Sequence, residues 1–186
     1  MNGFSTIRIQ PVRLHWLVDD SPGDLCAHAG VVVTVDGEPF ITSAEKDLAV
    51  STGALHLLRT LADDHTPQTP RAEHLIPHCG HFMAVDDESG AVVNVGCLSG
   101  ANWWVRHEGG GVVLTREDGA EARVSEREWA RAVAEFADAV DAFYATSPAR
   151  QPADEHEAEW FPAMRHEWRQ RRSAINLSPE EHRNEA

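Results

Sequence analysis

The chain has 186 residues, an apolar fraction of 42% and a formal charge of −14. That length fits one domain with appendages, no apolar run reaches the about 18 residues that would cross a bilayer, and so acidic a field excludes generic nucleic-acid binding. MNGFSTIRIQPVRLHW lacks the basic-then-apolar pattern of an export signal, so a cytoplasmic protein with reduced thiols is expected.

Residues 7–17, IRIQPVRLHWL, alternate apolar and polar and predict a strand. Pro11 cannot donate to a ladder, which places this strand at an edge or breaks it there. Residues 25–35 predict a second strand, its valine run suiting cover on both faces. Asp36-Gly37 is a two-residue hairpin signal, with Glu38 to Thr42 returning as the partner. Residues 51–63 carry Ala54, Leu55, Leu58, Leu61 and Ala62 at helical spacing, with Ser51 as the cap.

After a proline-containing loop come short strands: His81 to Val85, Ala91 to Val95, Asn102 to His107, Val112 to Thr115 and Ala120 to Val124. Turns containing glycine or Asp-Gly join them as an antiparallel meander. Residues 126–145 are a long helix, opened by the S-x-x-E box of Ser125 and Glu128. Trp129, Val133, Phe136, Val140 and Phe143 form its apolar stripe, and Ser147-Pro148 ends it. Residues 149–159 read as a polar linker. Trp160, Met164 and Trp168 then fall on one face of a short helix ending in RQRR, and NLSPEEHRNEA reads as disordered.

The expected fold is α+β: an antiparallel sheet of about six to eight strands, with one short and one long helix packed on it and a C-terminal helical tail. Residues 1–147 form a single domain. Residues 148–186 supply the linker, the amphipathic helix and the tail.

Chemistry concentrates in EHLIPHCGHFM at 73–83 and DLCAHAG at 24–30. If both are extended, Cys79 and His81 share one face, as do Cys26 and His28, while His78 points away from Cys79. Four such ligands, with Cys97 and His107 in reserve, would suit zinc and support a metal-dependent hydrolase. The packing alternative has the cysteines as small buried hydrophobes. A cysteine-dependent enzyme would use Cys79, activated by His78, His81 or His107; adjacent residues on a strand diverge, so His78 is poorly placed and a histidine from another strand is needed.

Within GCLSGANWWVRH, Trp103 and Val105 are expected in the core and Trp104 on the other face; a pocket lip is the alternative. His65 follows Asp64 and suits the negative end of the preceding helix. Trp160, Met164 and Trp168 would either dock on their own domain or bind a partner or second copy. Arg169, Arg171 and Arg172 could then pair with the acidic body.

DLCAHAG, ALHLLRTLADDHT, LIPHCGHFM and GC-x-x-G-x-x-W-x-V-x-H together resemble a family of small bacterial proteins with no established activity. The resemblance covers about residues 24–147 and implies no function. From the charge and the aromatic tail, an acidic binding protein of immunity or adaptor type is expected, with a protein partner or self-association and no nucleic acid or membrane.

Overall fold

A computed structural model describes residues 3–18, 21–70, 72–80, 83–95, 97 and 99–176. Strands β1 (Ile7–His15), β2 (His28–Val35) and β3 (Glu38–Ala49) form an antiparallel sheet in the order β1-β2-β3. Asp36 and Gly37 turn β2 into β3 with φ of 50° and 85°, the left-handed pair that a tight hairpin needs. The Asp36 carboxylate also accepts from the Thr6 backbone N–H at 2.8 Å, pinning the start of β1 to this turn. β1 is the edge strand, so Pro11 there leaves no ladder donor missing on the paired side. Its register with β2 shifts between Val12 and His15, where Arg13 has φ of 59°.

Ile7, Ile9, Val31 and Val33 are buried on one face of this sheet. Val32 is only half-buried, so the cover expected on both faces is partial on one. β3 runs to Ala49, well past the expected Thr42, and passes directly into helix α1 (Val50–Arg59). Ala49 occupies the cap position, so Ser51 is not the cap. Its hydroxyl instead accepts from Ala27 N–H at 2.7 Å and from the Tyr144 hydroxyl at 2.8 Å. α1 is buried over its whole circumference, not along one stripe, because structure packs on every side of it.

The strands after α1 form three further small antiparallel sheets where one large sheet was expected. β4 (Ile76–Pro77) pairs β7 (Gly100–Ala101), and β5 (Met83–Val85) pairs β6 (Val92–Asn94). β8 (Trp104–Glu108), β9 (Gly111–Thr115) and β10 (Glu121–Ser125) form a sheet ordered β10-β9-β8. Pro77 has no N–H to extend the β4 ladder. Beside it the Asn102 side chain accepts from Leu75 N–H at 3.1 Å, replacing a backbone rung.

Helix α2 (Glu126–Thr146) follows β10 without a loop, and Ser125 caps it by accepting from Glu128 N–H at 3.1 Å. The Glu128 carboxylate pairs with Arg131. Trp129, Val133, Phe136 and Val140 are buried against β1, α1 and the second sheet.

Helix α3 (Glu155–Ser173) begins inside the stretch expected to be linker. Asp154 accepts from Glu157 N–H at 2.8 Å, and Glu157 accepts from Ala153 N–H at 2.7 Å, a reciprocal box that starts the helix. The segment before it is tied down: Arg150 lies 4.2 Å above the Trp16 ring, and Gln151 N–H donates to Pro22 at 2.8 Å. The end of the chain, 177–186, expected to be disordered, lies outside the described residues.

Trp160, Met164 and Trp168 are all buried in this chain's own core. Trp160 and Met164 join Leu25, Leu55, Met83 and Val92 in a second apolar cluster, while Trp168 belongs to the main one. The stripe is therefore not an exposed anchor for another molecule. Buried indoles remove about 150–250 Å² each from water, which makes α3 an integral part of the packing. Charge fixes its orientation. Arg172 grips Asp138 of α2 with two bonds of 2.7 Å, and Arg59 of α1 grips Glu167 with bonds of 2.8 and 2.6 Å.

Candidate functional site

The cysteines meet around the base of the β5–β6 hairpin. After Pro77 the chain leaves the strand, so the alternation assumed for 77–85 fails at its start. His78 Nδ1 lies 3.2 Å from the Cys79 sulfur, correcting the expectation that these neighbours diverge. Cys79 N–H donates to the Cys97 sulfur at 3.2 Å, and the Cys97 thiol donates to the Ser99 carbonyl at 3.2 Å. Asn94 at the end of β6 donates to the Cys79 carbonyl at 3.0 Å. Burial raises the Cys79 pKa, and the adjoining Cys97 thiol raises it further.

Cys26 is deeper, in the second apolar cluster. A side-chain carbon on Gly80 would sit 2.5 Å from its sulfur, so only glycine lets the 78–80 segment cross there. Burial, reinforced by the nearby Asp24, pushes this thiol up to about 12, which makes it inert as a nucleophile.

His28 begins β2, whereas Cys26 precedes the strand, so the two do not form the in-strand pair that the C-x-H spacing suggested. The His28 ring is buried beside His15, with centroids 6.3 Å apart, and burial lowers its pKa. Among the described residues neither ring nitrogen meets a partner at hydrogen-bonding geometry. His81, the fourth member of the zinc set Cys26, His28, Cys79 and His81, lies outside the described residues. Among the described residues no three His, Cys, Asp or Glu side chains gather as a cation site.

Two histidines depart from the roles expected of them. His65 is not a helix cap: it is fully buried, and its backbone pairs with Val105 in both directions at 2.8 Å. Its ring stacks on Trp104 with centroids 5.0 Å apart, and its Nε2 lies 3.0 Å from Asn102 Oδ1. Asp64 bonds His107 instead, taking the backbone N–H and the ring Nδ1 at 2.9 Å each. The backbone N–H contributes most to holding the Asp64 carboxyl below its ordinary range. Thus Asp64 orients His107, on β8.

Trp103 and Val105 are buried and Trp104 is half-buried, as the alternation predicted. The segment before them edges an open cleft of about 500 Å³, lined by Phe40, Lys46, Ala101, Asn102 and Arg116 among others. The tryptophans do not line it.

His56, in the middle of α1, carried no functional signal in the sequence. Burial and the neighbouring Arg59 lower its pKa to about 4, against the pull of the His74 and Leu75 carbonyls on its Nδ1. The unfolded chain binds the proton near pH 6.5, so protonation favours unfolding. The contribution is complete above pH 6.5 and is lost as the pH falls toward 4, about 3 kcal/mol across that window. Urea denaturation at pH 7 and pH 4.5 should show this loss, and His56→Gln should flatten it. An unchanged slope in the variant would remove His56 as the cause.

No helix among the described residues is long and apolar enough to cross a membrane. Comparison with known protein families, curated proteins and solved structures finds no match to this chain.

Proposed function

We propose that this protein is an acidic interaction module that docks a basic protein partner, in the manner of an immunity-type inhibitor or an adaptor. The observation in its favour is the placement of charge. Acidic residues number 30 against 16 lysines and arginines. Arg59, Arg131, Arg165, Arg171 and Arg172 all face carboxylates of this chain. Pairing uses cations and carboxylates alike, so the net excess of 14 negative charges stays without a cation of this chain to match it. Asp87 and Glu88 are exposed at the turn of the β5–β6 hairpin, and Glu155 and Glu159 on the first turns of α3, against which that hairpin packs. Such a field speeds encounter with a basic surface and weakens with salt, the screening length falling from about 10 Å at 0.1 M to about 3 Å at 1 M.

The test is affinity capture from a lysate of the source cells at low and high salt. The comparison uses a variant carrying Asp87→Lys, Glu88→Lys, Glu155→Lys and Glu159→Lys. Retained proteins should be basic, released by salt, and at least about ten-fold depleted on the variant, the equivalent of 1.4 kcal/mol. No retention by the native chain at low salt, or retention indifferent to the reversal, overturns the proposal.

A second reading, a cysteine-dependent enzyme, has the contact between His78 and Cys79 in its support. That contact is a single pair beside no enclosed substrate pocket among the described residues, so the interaction reading takes precedence.

A further inference from the structure

We propose that Cys79 and Cys97 are an oxidisable dithiol whose disulfide closes the base of the β5–β6 hairpin. Both cysteines are free thiols. The Cys97 sulfur lies 3.2 Å from the Cys79 backbone nitrogen, which donates to it. A nitrogen about 1.5 Å from its Cα brings that sulfur within about 4.7 Å of the Cys79 Cα. The Cys79 sulfur hangs from that same Cα, so rotation about its side chain can bring the two sulfurs together. Cys26 is buried in the apolar cluster with its thiol against Thr52 and the Gly80 backbone.

The two partners are unequal, and the inequality orders the steps. Cys97 is only 5% exposed, whereas Cys79 is half-buried and has the His78 imidazole against its sulfur. Cys79 is therefore the sulfur an oxidant meets first. With a hydroperoxide as oxidant, His78 takes the Cys79 proton and the sulfur attacks one peroxide oxygen. The O–O bond breaks, Cys79 becomes a sulfenic acid, and for hydrogen peroxide the other oxygen leaves as water. The Cys97 sulfur then attacks the Cys79 sulfur. The S–S bond forms, the S–O bond breaks, and hydroxide leaves with the Cys97 proton as a second water. Two thiols lose two electrons and two protons, and one hydrogen peroxide becomes two waters.

The segment enclosed by the new bond carries β5, the acidic turn and β6. Asn94 already ties the end of β6 to the Cys79 carbonyl at 3.0 Å, so the covalent bond would fasten a junction that is closed without it. Met83 and Val92 of this hairpin pack with Trp160 and Met164 of α3. Oxidation would restrain the hairpin against that helix.

The test treats the native full chain with hydrogen peroxide, then denatures it in N-ethylmaleimide for intact mass and peptide mapping. The untreated chain should take an adduct on each of its three cysteines. The oxidised chain should take one, on Cys26, with a loss of about 2 Da and a peptide joining Cys79 to Cys97. Cys97→Ser should stop at a dimedone-trapped sulfenic acid on Cys79, and Cys79→Ser should give neither product. Amide exchange over 83–94 should slow roughly ten-fold in the oxidised chain. Three adducts after peroxide, a bond that includes Cys26, a disulfide-linked dimer, or sulfinic acid at Cys79 without a cross-link would each overturn the proposal. The mapping on the native chain decides the matter even where a variant fails to fold.

Discussion

Replacing Arg59 with methionine is expected to destabilise the protein by about 3–5 kcal/mol, the cost of stranding one half of a buried ion pair. Arg59 retains 10% side-chain exposure and Glu167 21%, so water can do little to solvate the orphaned carboxylate. Two charge-assisted bonds disappear together, as does the Arg59 bond of 2.7 Å to the Val92 carbonyl. Arg171 still reaches Glu167 at 2.7 Å, which sets the result toward the lower end of that range. The double variant Arg59→Met with Glu167→Leu should recover most of the loss, because an apolar pair of similar size often matches a buried ion pair. Urea denaturation of the single and double variants measures both. A double variant as unstable as Arg59→Met would show that the Val92 contact, and not the ion pair, carries the effect.

The second large effect is expected at Gly30, where alanine should cost about 3 kcal/mol or more through overpacking. Its new carbon would stand 2.1 Å from the Ala44 oxygen, 2.6 Å from its carbonyl carbon and 2.8 Å from its Cα. All three are backbone atoms of β3, so no side chain can turn aside. The cause lies in the β2–β3 register. Ala29 faces Leu48 while Val31 faces Ser43, so residues 44–47 of β3 bulge opposite Gly30. Relief requires prising apart strands joined on both sides of the bulge. Gly3, with nothing within 4 Å of the added carbon, provides the neutral control. Thermal melts of the two variants should separate clearly; equal melting temperatures would refute the packing account of Gly30.

The parts of the fold read correctly from sequence were those governed by local chemistry. Asp36-Gly37 needs left-handed backbone, and those residue types supply it. Ser125 and the stripe of α2 mark a helix whose buried face is visible in its spacing. The alternation of Trp103, Trp104 and Val105 sorted the three side chains. The start of α3 was also written locally, in Asp154 and Glu157, but the polar composition of 149–159 concealed it.

What escaped depends on partners distant in sequence. Asp64 touches His65 in the chain yet bonds His107, because the backbone rung between His65 and Val105 turns the His65 ring onto Trp104. The strand rule separated His78 from Cys79, and the chain is not a strand there. The contact between Cys79 and Cys97 depends on a hairpin folding back, which no spacing rule expresses.

The bond from Arg59 to Glu167 joins residues 108 positions apart, and it has a consequence for synthesis. Leu25, Leu55, Met83 and Val92 are made long before Trp160 and Met164, which cover them. At about 5–20 residues per second, a growing chain would spend several seconds with that apolar surface open to its neighbours. The sheet, α1 and α2 can assemble among themselves in that interval, but the second cluster cannot close. A ribosome stalled before α3 should therefore hold a nascent chain that chaperones recognise, and one stalled after α3 has emerged from the exit tunnel should not.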